Sequence, residues 1–146
     1  FIFFSNSAQE INWISIEKAQ ELQKKVPKNI IMDIYTDWCG PCKLMDLNTF
    51  QNPDVVNFVN NNFYAVKFNA EGNDIVNFKG YTFENPNYDP ARANRRNSSH
   101  QLSQAFRIQA FPTIVFLDKS SNLLHKLRGY KTPKQLEFRK ELEKVI

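Results

Sequence analysis

Apolar and polar positions fall along this chain in runs that mark most of its elements. Ile11-Asn12-Trp13-Ile14 alternates and predicts a short strand. Ser15 then offers an N-cap, and Ile16, Ala19, Leu22, Gln23 and Val26 recur at helical spacing, so a helix is expected up to Pro27. From Asn29 to Thr36 the residues Ile30, Ile31, Met32, Ile34 and Tyr35 run almost unbroken, as in a strand covered on both faces. Asp33 interrupts that run. After Pro41 a helix is expected from Cys42 to about Thr49, packed through Leu44, Met45 and Leu47. Asn52-Pro53 starts another, since Asn caps well and Pro suits the first helical position; Val55, Val56, Phe58 and Val59 form its inner face, and Asn60-Asn61-Asn62 ends it.

Phe63 to Asn69 alternates again and reads as a second central strand. Residues 71–97 break the pattern: they are polar, and they hold Arg92, Arg95 and Arg96. Within them, Ile75-Val76-Asn77-Phe78 and Tyr81-Thr82-Phe83 flank Lys79-Gly80, which predicts a hairpin turning at the glycine. The rest, Glu84 to Asn97, reads as an irregular loop of a length that marks either a functional segment or an insertion. A short helix is expected from Ser98 or Ser99 through Phe106. Strands follow at Ile114–Leu117 and Leu123–Gly129, joined by a turn. Thr132-Pro133-Lys134-Gln135 is a capping box before a last amphipathic helix with Leu136, Phe138, Leu142 and Val145 inside.

The order is β-α-β-α-α-β-insertion-α-β-β-α. Parallel pairs need helical crossovers, whereas the last two strands are close enough for a hairpin. An α/β domain with a mixed central β-sheet and helices on both faces is expected.

Composition narrows the function. The 146 residues suit one domain, and 13 Phe point to a core packed with rings. The net charge of +4 is scattered in mixed sign, which argues against a nucleic-acid surface. No run of 18 apolar residues exists to span a membrane. Residues 1–8, Phe-Ile-Phe-Phe-Ser-Asn-Ser-Ala, fit the tail of a secretory signal peptide cut after Ser7 or Ala8, with residues 9–146 as the domain; a short first strand is the alternative.

The candidate chemistry lies in the two cysteines, Cys39 and Cys42. Two cysteines cannot build a disulfide framework, and a loop this short removes little unfolded-state entropy. His100 and His125 are the only histidines, neither at zinc-finger spacing from the cysteines; they read as ordinary polar residues, and no metal is expected. What remains is a Cys-x-x-Cys turn between a strand and a helix, where the helix N-terminus favours the thiolate of the first cysteine. Cys39 is expected to be the exposed nucleophile and Cys42 the resolving thiol. A structural or vestigial disulfide is the alternative. Asp33 reads as a buried carboxylate with a raised pKa, able to accept the Cys42 proton through a water.

Trp38-Cys39-Gly40-Pro41-Cys42-Lys43 resembles the active-site hexapeptide of the thioredoxin superfamily. Asp33 falls where those proteins keep a buried aspartate. Lys67 matches the strand lysine beside it, Phe111-Pro112-Thr113 the cis-proline loop facing the dithiol, and Gly129 the glycine after the last strand. The resemblance therefore implies a thioredoxin fold, with Cys39, Cys42, Asp33 and Lys67 in catalysis. It also implies substrate contacts from Trp38, Gly40, Pro41, Phe111, Pro112 and Gly129, although Trp38 reads equally well as core. Asp33 to Cys39, followed by Thr49-Phe50-Gln51-Asn52-Pro53-Asp54-Val55, further resembles the periplasmic C-terminal domain of transmembrane disulfide reductases. The insertion 71–97 departs from ordinary thioredoxins, as does Phe111 in place of a smaller aliphatic residue.

These features imply an exported, periplasmic and monomeric thiol–disulfide oxidoreductase that needs no cofactor beyond its own cysteine pair. It is expected to reduce protein disulfides and to draw electrons from a membrane thiol reductase. An oxidase or isomerase, and a partner-binding module with an incidental dithiol, are the alternatives. The insertion is expected to be a solvated decoration with a small core of its own, its arginines and exposed rings a partner surface in the other reading.

Overall fold

The computed structural model describes residues 9–136. The element order is β1 (Trp13–Ile14), α1 (Ile16–Lys25), β2 (Asn29–Tyr35), α2 (Gly40–Asn48), α3 (Pro53–Asn62), β3 (Phe63–Asn69), β4 (Val76–Phe78), β5 (Tyr81–Phe83), a 3-10 turn (Pro90–Arg92), α4 (Gln101–Ala105), β6 (Thr113–Leu117), β7 (Leu123–Arg128) and α5 (Pro133–Leu136). The signal-peptide remnant expected at 1–8, and Phe138, Leu142 and Val145 of the last expected helix, lie outside the described residues.

The sheet has the order β1-β3-β2-β6-β7. β3 runs parallel to both β1 and β2, while β6 and β7 are antiparallel to their neighbours. The expected mixed sheet is therefore present, with β2 near its centre. Alternate side chains of β2 feed two cores. Ile31 joins Met45 of α2, Val55, Val56 and Val59 of α3 and Leu136 of α5. Ile30, Met32 and Ile34 join Ile16 and Ala19 of α1 and Leu102 of α4. Helices thus cover both faces, which is why β2 is apolar at nearly every position.

Local signals set the helix ends. Ser15 Oγ accepts from Lys18 N at 3.1 Å. Asn52 Oδ1 accepts from Asp54 N and Val55 N at 3.0 and 3.2 Å, with Pro53 at the first helical position. Thr132 and Gln135 make the reciprocal pair of a capping box at 2.9 and 3.2 Å.

Three packing expectations fail. Leu44 and Leu47 are 52% and 63% exposed, because the face of α2 that packs inward carries Cys42, Met45 and the following Thr49 instead. Val26 is 57% exposed, since the chain leaves helical geometry there. His100 is fully buried rather than an ordinary polar residue. Its ring caps α4, accepting from Leu102 N at 3.1 Å, and its other nitrogen meets Asp74 O at 2.6 Å.

The first half of the insertion is part of the domain core. Lys79 and Gly80 both have positive φ, 51° and 81°, which suits a two-residue hairpin between β4 and β5. Val76 and Phe78 bury into the core on the α1/α4 face. The backbone of the β4 segment is tied to α1 by side chains: Asn77 N donates to Glu17 Oε1 at 2.9 Å, and Gln20 Nε2 donates to Asn77 O at 3.0 Å. The expectation of a solvated decoration with its own satellite core is thereby corrected.

Candidate active site

Cys39 occupies the N-cap of α2, and Pro41 sits in the first turn, where a missing N–H leaves no gap in the helix. The Cys42 N–H donates to Cys39 Sγ at 3.1 Å, and the two sulfurs form a disulfide. This bond and the positive end of the helix both favour negative charge on the Cys39 sulfur. Cys39 was expected to be exposed, yet it keeps only 3% of its surface and Cys42 4%. Access is through an open groove of about 540 Å³ whose lining includes Trp38, Cys39, Gly40, Pro41 and Phe111. Cys39 is reached from that groove.

Asp33 in β2 stands opposite Lys67 in β3 in the parallel register. Lys67 Nζ is 3.2 Å from Asp33 Oδ2 and 2.6 Å from Asp46 Oδ1. Asp33 is 2% exposed, and its Oδ1 has no hydrogen-bond partner among the described residues. Burial pushes its pKa up from 3.8 to about 6; Lys67 opposes the rise, and Asp46 adds to it. For Lys67, burial disfavours the ammonium, but Asp33 and Asp46 outweigh that and hold its pKa above the ordinary value. Its Nζ also lies 4.7 Å from the Tyr35 ring centre and 5.4 Å from that of Trp13. Asp46 is a further residue of this cluster, outside those expected from the sequence. It follows Cys42 by one helical turn on α2, a spacing that puts both on one face and could have been read.

On the other side, the Phe111–Pro112 peptide is cis. Pro112 O accepts from Gly129 N at 2.8 Å, and Gly129 has φ of +82°, a value glycine adopts freely. The Phe111 ring meets Trp38 edge-on, with centroids 6.0 Å apart. Trp38 is half-buried and lines the groove, so its position joins Phe111 to the dithiol. Pro112 is buried and does not line the groove.

The groove also takes in Gln109, Ala110 and three residues of the insertion, of which only Arg96 was expected at a partner surface, and that in the alternative reading. Glu71 Oε1 accepts from Trp38 Nε1 at 2.9 Å and from Asn97 N at 2.6 Å. Arg96 places its guanidinium 4.8 Å from the Trp38 ring centre. Glu71, Arg96 and Asn97 all line the groove, and all belong to the insertion as bounded from sequence. Among the described residues no cluster of three or more His, Cys, Asp or Glu could hold a metal ion, and no helix is long and apolar enough to cross a membrane.

The sequence profile of the family described as "Thioredoxin-like domain" matches residues 16–146. The thiol:disulfide interchange protein DsbD of Colwellia psychrerythraea is 23% identical over 148 residues, covering 97% of this chain and 21% of that protein. DsbD of Vibrio vulnificus is 34% identical over 64 residues, covering 36% of this chain and 11% of its own length. The chain thus spans about a fifth or less of these relatives. Among solved structures, a thioredoxin from Thermus thermophilus aligns with TM-score 0.64 at 18% identity, over 93% of this chain and 87% of that one. The oxidised C-terminal domain of Neisseria meningitidis DsbD aligns with TM-score 0.57 at 19% identity, over 89% and 91%. The profile match spans most of the sequence and includes both cysteines, and the fold and its Cys-x-x-Cys turn agree with it: the chain belongs to the thioredoxin-like domain family.

Proposed function

We propose that this domain reduces disulfide bonds in protein partners, outside the cytoplasm, and is itself re-reduced by a membrane thiol reductase. The observation that carries the reading is the Cys42 N–H aimed at Cys39 Sγ at the start of α2, which stabilises a thiolate on the first sulfur. The signal-like residues 1–8 and the names of the relatives support the location and the donor class.

In the reduced domain, the Cys39 thiolate attacks one sulfur of the partner disulfide. That bond breaks, the second partner sulfur leaves as a thiolate, and a mixed disulfide forms. Cys42 then loses its proton to Asp33 through a water and attacks Cys39 Sγ. The partner departs with both sulfurs reduced, and two electrons have moved from the domain. A carboxyl with a pKa of about 6 is largely ionised at neutral pH yet more basic than an ordinary aspartate, which suits the transfer. Lys67 keeps that pKa from rising further. Trp38, Gly40, Pro41 and Phe111 would contact the partner along the groove, with Pro112 and Gly129 fixing the loop next to Phe111.

The test combines trapping with a redox equilibrium. Cys42→Ser should stall mixed disulfides with exported proteins, and Cys39→Ser should trap none. Equilibration of the wild type with glutathione should give a potential well below about −150 mV; a higher value would make the domain an oxidant. Absence of any mixed disulfide would sink the enzymatic reading.

A further inference from the structure

The last part of the insertion reaches the dithiol groove and is braced there. Arg96 rests over the ring of Trp38, the residue that precedes Cys39. Glu71 fastens both partners of the arrangement, because one of its oxygens takes the Trp38 indole N–H and the Asn97 backbone N–H. The loop holds its own shape. Asn97 Nδ2 donates to Asp89 O at 2.9 Å and to Arg92 O at 3.3 Å, and Asn97 Oδ1 accepts from Asp89 N at 3.0 Å. Asn85 Nδ2 donates to Gly72 O at 3.0 Å and Ser98 O at 2.8 Å, closing the base of the loop. Residues 96–97 are therefore an ordered wall of the groove.

Two opposite charges line that groove, and they are not equivalent. The Glu71 carboxylate is half-buried and already engaged by two N–H donors. Arg96 is exposed, and among the described residues no carboxylate stands within ion-pair distance of it. Arg92 and Arg95, on the same loop, are exposed and also lack an ion pair among those residues. A guanidinium lying on an aromatic face keeps N–H donors at its rim, fixed in direction and free to meet a carboxylate.

We propose that Arg96 is a specificity determinant of the exchange reaction, favouring protein disulfides flanked by Asp or Glu. The inference rests on the exchange function proposed above. As a partner disulfide approaches Cys39, an acidic side chain beside it meets the Arg96 guanidinium at the groove wall. The arginines behind it steer the encounter. The exchange step itself is unchanged. Arg96 acts on partner binding, and Glu71 holds the wall in place.

The experiment uses two cyclic model peptides, each closed by one disulfide and differing only in Glu or Lys before the first cysteine. Both are reduced by the dithiol form of the protein, and kcat/KM is measured at low and high salt. The wild type should favour the Glu peptide by roughly three- to tenfold at low salt, as for a charge pair at an interface rim, and the preference should shrink at high salt. Arg96→Lys should keep the preference, and Arg96→Glu should reverse it. The ratio between peptides within one variant is insensitive to any general loss of activity. An equal ratio in wild type and Arg96→Glu would overturn the charge assignment alone. Failure of the wild type to reduce either peptide would overturn the exchange function and this inference with it.

Discussion

Asp33 and Lys67 stand opposite each other in adjacent parallel strands, 3.2 Å apart between Oδ2 and Nζ, yet the pair does not bring the aspartate to an ordinary pKa. Burial outweighs the lysine and leaves Asp33 at about 6. Lys67 divides its charge, being closer to Asp46 at 2.6 Å than to Asp33. The result is a carboxylate held in the interior at the expense of stability, beneath the helix that begins at the dithiol.

That cost has a defined pH window. A carboxyl whose pKa is higher folded than unfolded binds its proton more readily in the folded state. Its contribution to stability is complete below about 3.8 and is lost as pH rises through about 6. A shift of this size corresponds to up to about 3 kcal/mol. Asp33→Asn keeps the shape, removes the buried charge and leaves Lys67 paired with Asp46. The oxidised variant should be more stable than wild type by about 1–3 kcal/mol at pH 7, with the difference gone near pH 4. Urea unfolding at the two pH values measures this; a variant less stable at pH 7 would contradict it. The same variant should resolve mixed disulfides more slowly.

Removing the cation should act in the opposite sense on the carboxyl. Lys67 lowers the Asp33 pKa by charge and by hydrogen bonding, against the burial that raises it. In Lys67→Met the burial remains and the opposing charge is gone, so Asp33 should titrate above about 6. The carboxyl carbon chemical shift of Asp33, followed against pH in the oxidised protein, reads this directly. A midpoint equal to or below that of wild type would mean that Lys67 is not the group restraining it.

The parts of this molecule legible in sequence are those that short stretches encode. The apolar run around Ile30–Ile34, the Asn52-Pro53 helix start and the Lys79-Gly80 turn carry their physics within a few residues, and all three form as expected. The dithiol and Asp33 were visible because cysteines at that spacing, and a charge inside an apolar run, are anomalies in any local pattern. Glu71 was not legible as a site residue, and Arg96 only as one of three arginines that could form a partner surface. Both act through contact with Trp38, more than thirty positions away in sequence, and no periodicity records such a contact. Leu44 and Leu47 misled because α2 carries apolar side chains on both of its sides, and only the side with Cys42 and Met45 lies against the core.

His100 shows the same limit from the side of stability. Nothing beside it in sequence marks burial, yet its ring closes a contact between α4 and the segment before β4. Nδ1 accepts the Leu102 N–H, so Nε2 carries the proton and donates to Asp74 O at 2.6 Å. The ring also meets Phe68 edge-on with centroids 5.0 Å apart. His100→Ala removes a cap, a hydrogen bond and a packed ring, and should destabilise the protein by about 2–4 kcal/mol. His100→Asn, which can still cap α4, should recover part of that loss. Urea midpoints of the two variants decide the matter; a shift of under about 0.5 kcal/mol for His100→Ala would show that the buried ring carries no such weight.

The tie between Glu71, Trp38 and Asn97 should behave as a local rather than a global element. Both N–H donors reach one carboxylate oxygen, and the residues involved are only half-buried. Hydrogen bonds to a charged acceptor contribute about 1.5–3 kcal/mol when well shielded and less where water competes. Glu71→Ala strips both donors of their acceptor, but the sheet and the two cores do not depend on them. The expected response is local opening of the loop with a small change in global stability. Trypsin should then cut after Arg92, Arg95 or Arg96 several-fold faster than in wild type, and Trp38 fluorescence should move toward that of an exposed indole. Glu71→Gln keeps an acceptor oxygen and should restore most of the protection. If Glu71→Ala were cleaved at the wild-type rate while Trp38 emission stayed unchanged, the loop would be held against the groove by something other than Glu71.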